Sequence, residues 1–138
     1  MKELKIDAVP ENLDTVLDFV NAELETMESS PKVRHHVAIA VEEIFVNIAH
    51  YAYNPEVGAA CVRVSVSAAS SVAELRLVFE DSGKPYNPLE RADPDITASV
   101  QDKPIGGLGI LMVKKIMDTV EYRYENGINQ LTMTKVIQ

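Results

Sequence analysis

Apolar and polar positions alternate with two different periods along this chain, and the points where the period changes mark out its elements. Leu4, Ile6 and Ala8 alternate with charged residues, which predicts a strand from Lys2 to Ala8. Leu13, Val16, Leu17, Val20 and Leu24 recur at helical spacing, so a helix is expected from Pro10 to about Met27. Ser29, Ser30 and Pro31 interrupt it: a serine suits the N-cap of a second helix and Pro31 its first turn. That second helix, about Pro31 to Tyr53, carries the strongest stripe: Val33, Val37, Ala40, Val41, Ile44 and Ile48. With Ala40 as zero and about 100° per residue, the rest of the stripe lies at roughly +20° to +100°. Asn47 then falls at roughly −20° and Glu43 at roughly −60°, on one edge of the buried face, while Glu42 points to solvent.

Asn54, Pro55 and Gly58 stop the helix, and the period changes to two. Val62, Val64 and Val66 alternate with Arg63, Ser65 and Ser67; Leu75, Leu77 and Phe79 alternate with Arg76, Val78 and Glu80; Ala69 to Val72 connects the two strands. From Asp81 to Gly106 the chain is polar and holds Pro85, Pro88, Pro94 and Pro104, a loop long enough to suggest a functional role. A helix is expected from about Leu108 to Asp118, then a hairpin of Val120, Tyr122 and Tyr124 against Leu131 and Met133, turning at Asn126-Gly127. The order β-α-α-β-β-loop-α-β-β predicts an α+β, two-layer sandwich: a mostly antiparallel sheet of about five strands with helices on one face.

The 138 residues suit one domain, and an apolar fraction of 46% is enough for a core. No apolar run of about 18 residues suggests a membrane span, and the N-terminal stretch lacks a signal-peptide core. Cys61 is the only cysteine, so no disulfide can form within the chain, and a cytoplasmic protein is expected. The formal charge of −8 argues against nucleic acid and anionic membranes as partners. A nucleotide is anionic as well, so a nucleotide site here needs a cation and backbone donors.

Three short segments carry possible chemistry. In Glu43-Ile44-Phe45-Val46-Asn47, an amide oxygen can give magnesium one ligand, and a carboxylate one turn earlier can orient a nucleophile or take its proton. The same pair is also an ordinary polar flank on an amphipathic helix. Asp81-Ser82-Gly83-Lys84-Pro85 follows a buried strand. Its carboxylate can accept from an adenine amino group and its glycine lets backbone approach a flat base, although these are also turn residues. Gly106-Gly107-Leu108-Gly109-Ile110 precedes an apolar helix, where free N–H groups could face phosphate oxygens; a lid hinge would need similar residues.

In this order the segments resemble the ATP-binding fold shared by gyrase, heat-shock chaperones and histidine kinases, often called the Bergerat fold. Glu43 to Asn47 looks like its N box, Asp81-Ser82-Gly83 its first glycine box and Gly106-Gly107-Leu108-Gly109 its second. Within that group the chain is most similar to the bacterial anti-sigma-factor serine/threonine kinases. Asp81 to Pro88 is similar to their Asp-x-Gly-x-Pro-Phe-Asp-Pro, with Tyr86 and Asn87 as mild departures.

The resemblance implies ATP and magnesium as cofactors, an anti-sigma-factor antagonist phosphorylated on serine or threonine, often a sigma factor as second partner, and a homodimer. It also implies site roles. Glu43 would position or activate the attacking hydroxyl and Asn47 would hold magnesium. Asp81 and Gly83, with Pro85 beside them, would hold adenine. Gly106, Gly107, Leu108 and Gly109 would cradle phosphates under a lid of roughly residues 88 to 105, and Lys103 is a candidate to reach a phosphate.

The rival reading is a non-catalytic module in which nucleotide gates partner binding. An ATPase part of a larger assembly is a third. Other candidates weigh less. His35 and His36 are adjacent rather than three or four apart, and His50 is distant, so a metal pair is disfavoured, although His36 and His50 fall near the Glu43 edge. Tyr51, Tyr122 and Tyr124 could stack on nucleic acid, but Tyr122 and Tyr124 have core-strand spacing and the charge is wrong. The five methionines suit packing.

Overall fold

A computed structural model describes residues 1–53, 55–67, 72–90 and 107–137. The strand expected at the start is β1 (Lys2–Asp7), and β2 (Ala59–Ser67), β3 (Glu74–Asp81), β4 (Thr119–Glu125) and β5 (Ile128–Val136) complete one sheet. Its order is β1-β2-β3-β5-β4, and every pairing is antiparallel. The expected two-layer α+β architecture is therefore present.

The alternation of side chains decides which face is covered. Ala60, Val62 and Val64 of β2, Leu75, Leu77 and Phe79 of β3, and Leu131 and Met133 of β5 are buried together. The other face carries charge: Arg63 bonds both Glu3 and Glu80, and Gln130 donates to Glu80 at 3.0 Å. Helices α1 (Leu13–Leu24), α2 (Pro31–Asn47) and α3 (Gly107–Ile116) lie over the apolar face. α1 follows a short 3-10 turn, Pro10–Asn12, and ends at Leu24 rather than near Met27. Ser30 caps α2 as expected, its hydroxyl accepting from the Val33 N–H at 3.1 Å, with Pro31 in the first turn.

α2 does not run to Tyr53 as a regular helix. It becomes a π-helical turn over Ile48–Ala52. The widened turn keeps Ile48 and Ala52 buried, and such turns often mark functional sites. Tyr124, expected in the core, is 45% exposed: it lies on the edge strand β4, opposite Asn129 of β5 and beyond the buried apolar residues. At the β4–β5 turn Asn126 and Gly127 have φ of 54° and 78°, the left-handed pair that an Asn-Gly hairpin turn requires. The expected β2–β3 connection at Ala69 to Val72 lies outside the described residues, apart from Val72.

Candidate functional site

A cleft opens between the end of α2 and the covered face of β3 and β5. It holds about 430 Å3 of open space, its mouth included, and Ile44, Ile48, Ala52, Phe79 and Leu131 form its apolar walls. Its lining, apolar walls with a few fixed polar groups, is of the kind that suits a small-molecule site. The polar groups are Asn47, Asp81, Lys84, Tyr86, Tyr122 and Asn129.

At one end, Glu43 and Asn47 lie one turn apart on α2, as the helical angles require. Glu43 is half-buried, Glu42 is exposed, and Asn47 is only 6% exposed. Asn47 Nδ2 donates to Glu43 Oε1 at 3.1 Å, which directs the amide oxygen away from the carboxylate. α3 packs against α2 here, and the contact is close: a methyl group at position 109 would come within 2.0 Å of Glu43 Oε2. Gly109 is therefore the residue that lets the carboxylate reach the backbone of α3. Two of the three segments thus meet in space.

At the other end stands Asp81, the last residue of β3 and 8% exposed. Its Oδ1 accepts from the Gly83 N–H at 2.9 Å and from Asn129 Nδ2 at 2.9 Å. Burial pushes its carboxyl above the usual range, while the bonds from Asn129 and Gly83 pull it back. The turn after Asp81 is seated on the π-helical end of α2. Lys84 N–H donates to the Ala52 carbonyl at 2.9 Å, and a methyl group at position 83 would come within 2.2 Å of that oxygen. Tyr53 fastens the same turn, accepting from the Ser82 N–H at 2.8 Å and donating to the Ala59 carbonyl at 2.6 Å. The Tyr86 ring lies at 5.8 Å and 33° to that of Tyr51, forming an aromatic rim.

Pro85 belongs to this turn, and Leu108 and Gly107 open α3. Lys103, Gly106 and nearly all of the expected lid over residues 88 to 105 lie outside the described residues. His35 and His50 are exposed, His50 lying 6.2 Å from the Tyr51 ring. Among the described residues no group of three or more His, Cys, Asp or Glu could hold a metal ion.

Sequence reasoning misses Asn129, Tyr122, Lys84 and Tyr86. One signal exists for Asn129. It falls on the same strand face as Leu131 and Met133, and an amide at a core-facing position needs a polar partner.

The pattern of the family described as "Histidine kinase-like ATPase domain" matches residues 6–135. The serine/threonine-protein kinase BtrW of Bordetella bronchiseptica is 27% identical over 105 residues, covering 76% of this chain and 72% of that protein. The serine-protein kinase RsbW of Bacillus cereus is 30% identical over 104 residues, covering 72% of this chain; the match spans 62% of RsbW's own length. Among solved structures, the histidine kinase domain of a blue-light activated histidine kinase from Erythrobacter litoralis superposes with a TM-score of 0.53. At 12% identity, with 93% of this chain and 60% of that one covered, it shows a shared fold. The matching pattern, the superposition and the five-stranded sheet under three helices agree: this chain belongs to the histidine kinase-like ATPase domain family.

Proposed function

We propose that residues 1–138 form one ATP-binding domain that acts as a magnesium-dependent serine/threonine protein kinase. Its substrate would be an anti-sigma-factor antagonist and its second partner a sigma factor, in a homodimeric cytoplasmic regulator. The protein-kinase names of BtrW and RsbW support the activity class. The observation that carries the reading is that Glu43, held close to Gly109, bonds Asn47, which lines the same cleft as Asp81.

The residues fit magnesium. With Asn47 Nδ2 engaged by Glu43, the amide oxygen is available as one hard ligand, and a magnesium site with one or two protein oxygens takes the rest from water and phosphate. When bound, the ion would offset charge on the phosphates. The remaining roles belong to the chain. Ile44, Ile48, Phe79 and Leu131 shed water around the base, and Asp81 accepts from its amino group. The first turn of α3 offers N–H groups at its positive end to the phosphates, with Gly106, Gly107, Leu108 and Gly109 as the cradle, Lys103 as a further contact and residues 88 to 105 as the lid. Glu43 orients the serine or threonine hydroxyl and accepts its proton as the oxygen attacks the γ-phosphorus and the ADP oxygen leaves.

The test is transfer of radiolabel from γ-labelled ATP to a purified antagonist partner with magnesium. Label on serine or threonine that disappears in EDTA supports the reading. Saturable ATP binding without transfer to any partner that the chain binds would replace it with the nucleotide-gated binding module.

A further inference from the structure

Asn129 is a buried amide with five polar partners drawn from three parts of the chain. Its Nδ2 faces Asp81 Oδ1 at 2.9 Å, the Lys84 carbonyl at 2.8 Å and the Gly83 carbonyl at 3.4 Å. Its Oδ1 accepts from the Tyr86 N–H at 3.2 Å and from the Tyr122 hydroxyl. These partners define its orientation: a flipped amide would set its oxygen against two carbonyls and the Asp81 carboxylate, and its N–H groups against the Tyr86 N–H. Asn129 sits opposite Asp81 in the β3–β5 ladder, and Tyr122 comes from the neighbouring edge strand β4. Strand register therefore places the amide where it is.

The consequence lies at Asp81. The bonds that it accepts from Gly83 N–H and Asn129 Nδ2 both fall on Oδ1. An oxygen that already accepts two N–H bonds is a poor place for a proton, so Oδ2 is the oxygen left to meet a ligand in the cleft. As a bare carboxylate oxygen, Oδ2 accepts from an amino group and repels a carbonyl oxygen. Protonated, it would donate to a carbonyl instead. We infer that Asn129, oriented by Tyr122, is a positioning residue that keeps Asp81 an acceptor toward the base and thereby selects a 6-amino purine over a 6-oxo purine. The inference rests on reading the cleft as an ATP site.

Burial already pushes Asp81 upward and the Asn129 bond opposes it. Removing the amide therefore leaves the carboxyl easier to protonate. The other titratable groups around it are Tyr53 from the end of α2, Lys84 and Tyr86 from the following turn, and Tyr122 from β4. Without the amide, Oδ1 keeps the bond from the Gly83 N–H.

The experiment compares magnesium-ATP with magnesium-ITP, whose base has oxygen in place of the 6-amino group, by calorimetry between about pH 5.5 and about pH 8. The wild-type chain should prefer ATP by about tenfold or more across that range. Asn129→Leu should bind ATP about tenfold more weakly, and its ATP-to-ITP ratio should narrow as pH falls. Tyr122→Phe should narrow the ratio in the same direction by a few-fold, and it carries the test if Asn129→Leu fails to fold. If both variants lose ATP and ITP affinity by equal factors at every pH, the amide only supports the fold and the inference is overturned. A wild-type chain that binds both nucleotides equally overturns the inference alone, whereas one that binds neither overturns the nucleotide reading as well.

Discussion

The two ends of the cleft are built differently. The Asp81 end is bracketed by three strands: Asp81 from β3, Asn129 from β5 and Tyr122 from β4, joined by bonds between residues 48 and 7 positions apart. The Glu43 end is built mostly along one helix, where the Asn47–Glu43 bond joins residues four apart, beside the bare backbone of Gly109. The first arrangement is fixed by ladder register and is costly to rearrange. The second lies along one edge of a helix's buried face, where spacing in the sequence sets which side chains meet.

The sharpest way to break this comparison is at Glu43. Glu43→Gln keeps the acceptor for Asn47 but cannot take a proton, so ATP affinity should hold while phosphate transfer falls by about 10² to 10⁴-fold. Glu42→Gln, one residue away and exposed, should stay within about twofold in both assays. Gly109→Ala probes the same end without changing charge. The new methyl displaces the Glu43 carboxylate, the movable end of a side chain, so transfer should fall while the melting temperature changes little. Normal transfer by both Glu43→Gln and Gly109→Ala would remove Glu43 from the chemistry.

At the strand-built end the expected loss is in binding. Asp81→Asn keeps an oxygen for Gly83 and Asn129 and turns an N–H toward the cleft, so ATP affinity should drop about tenfold or more. Stability should move the other way. The Asp81 carboxyl is raised from its ordinary 3.8, so the folded chain holds its proton more tightly than the unfolded chain. Stability then falls as pH rises through the window from 3.8 to the raised value, and stays lower above it. Asn has no proton to lose. Asp81→Asn at pH 7 should therefore melt no lower than the parent, and a clear drop in melting temperature would show that the carboxylate is structural.

The contrast between the two ends also explains what the sequence discloses. Glu43 and Asn47 can be paired from the sequence alone because a helix converts spacing into direction. The antiparallel strands and the Asn126-Gly127 turn are legible for the same local reason. Asn129 and Tyr122 are not, because their partners depend on how β3, β5 and β4 line up, and register is a property of the whole sheet. The π-helical turn at Ile48–Ala52 is hidden because apolar periodicity there looks the same for an α-helix. Tyr124 is misplaced because alternation reports which face a side chain takes, not whether a helix covers it.

Gly83 tests the joint between the two ends. Its α-carbon lies against the Ala52 carbonyl, a backbone atom that cannot swing aside. Gly83→Ala must push the turn off the end of α2 and strain the Lys84–Ala52 bond, at a cost of about 1–3 kcal/mol by denaturant unfolding. Asp81 should move with the turn, so ATP binding weakens too. A variant with reduced stability and unaltered affinity would show that the base pocket does not depend on that seat.

The smallest effect belongs to the β4–β5 turn. Gly127 has φ of 78° with nothing within 4 Å of an added methyl, so Gly127→Ala adds backbone strain and no clash. An alanine held in that conformation costs about 1 kcal/mol, roughly 4 °C in melting temperature for a domain of this size. The turn lies two residues from Asn129, yet Asn129 is held by five partners in the cleft and by the β3–β5 ladder, and these do not pass through Gly127. ATP affinity and the preference for ATP over ITP should therefore stay within about twofold of the parent. If calorimetry instead finds affinity lost in step with stability, the hairpin turn sets the register that positions Asn129, and the rigidity of the base pocket comes from the loop rather than from the sheet.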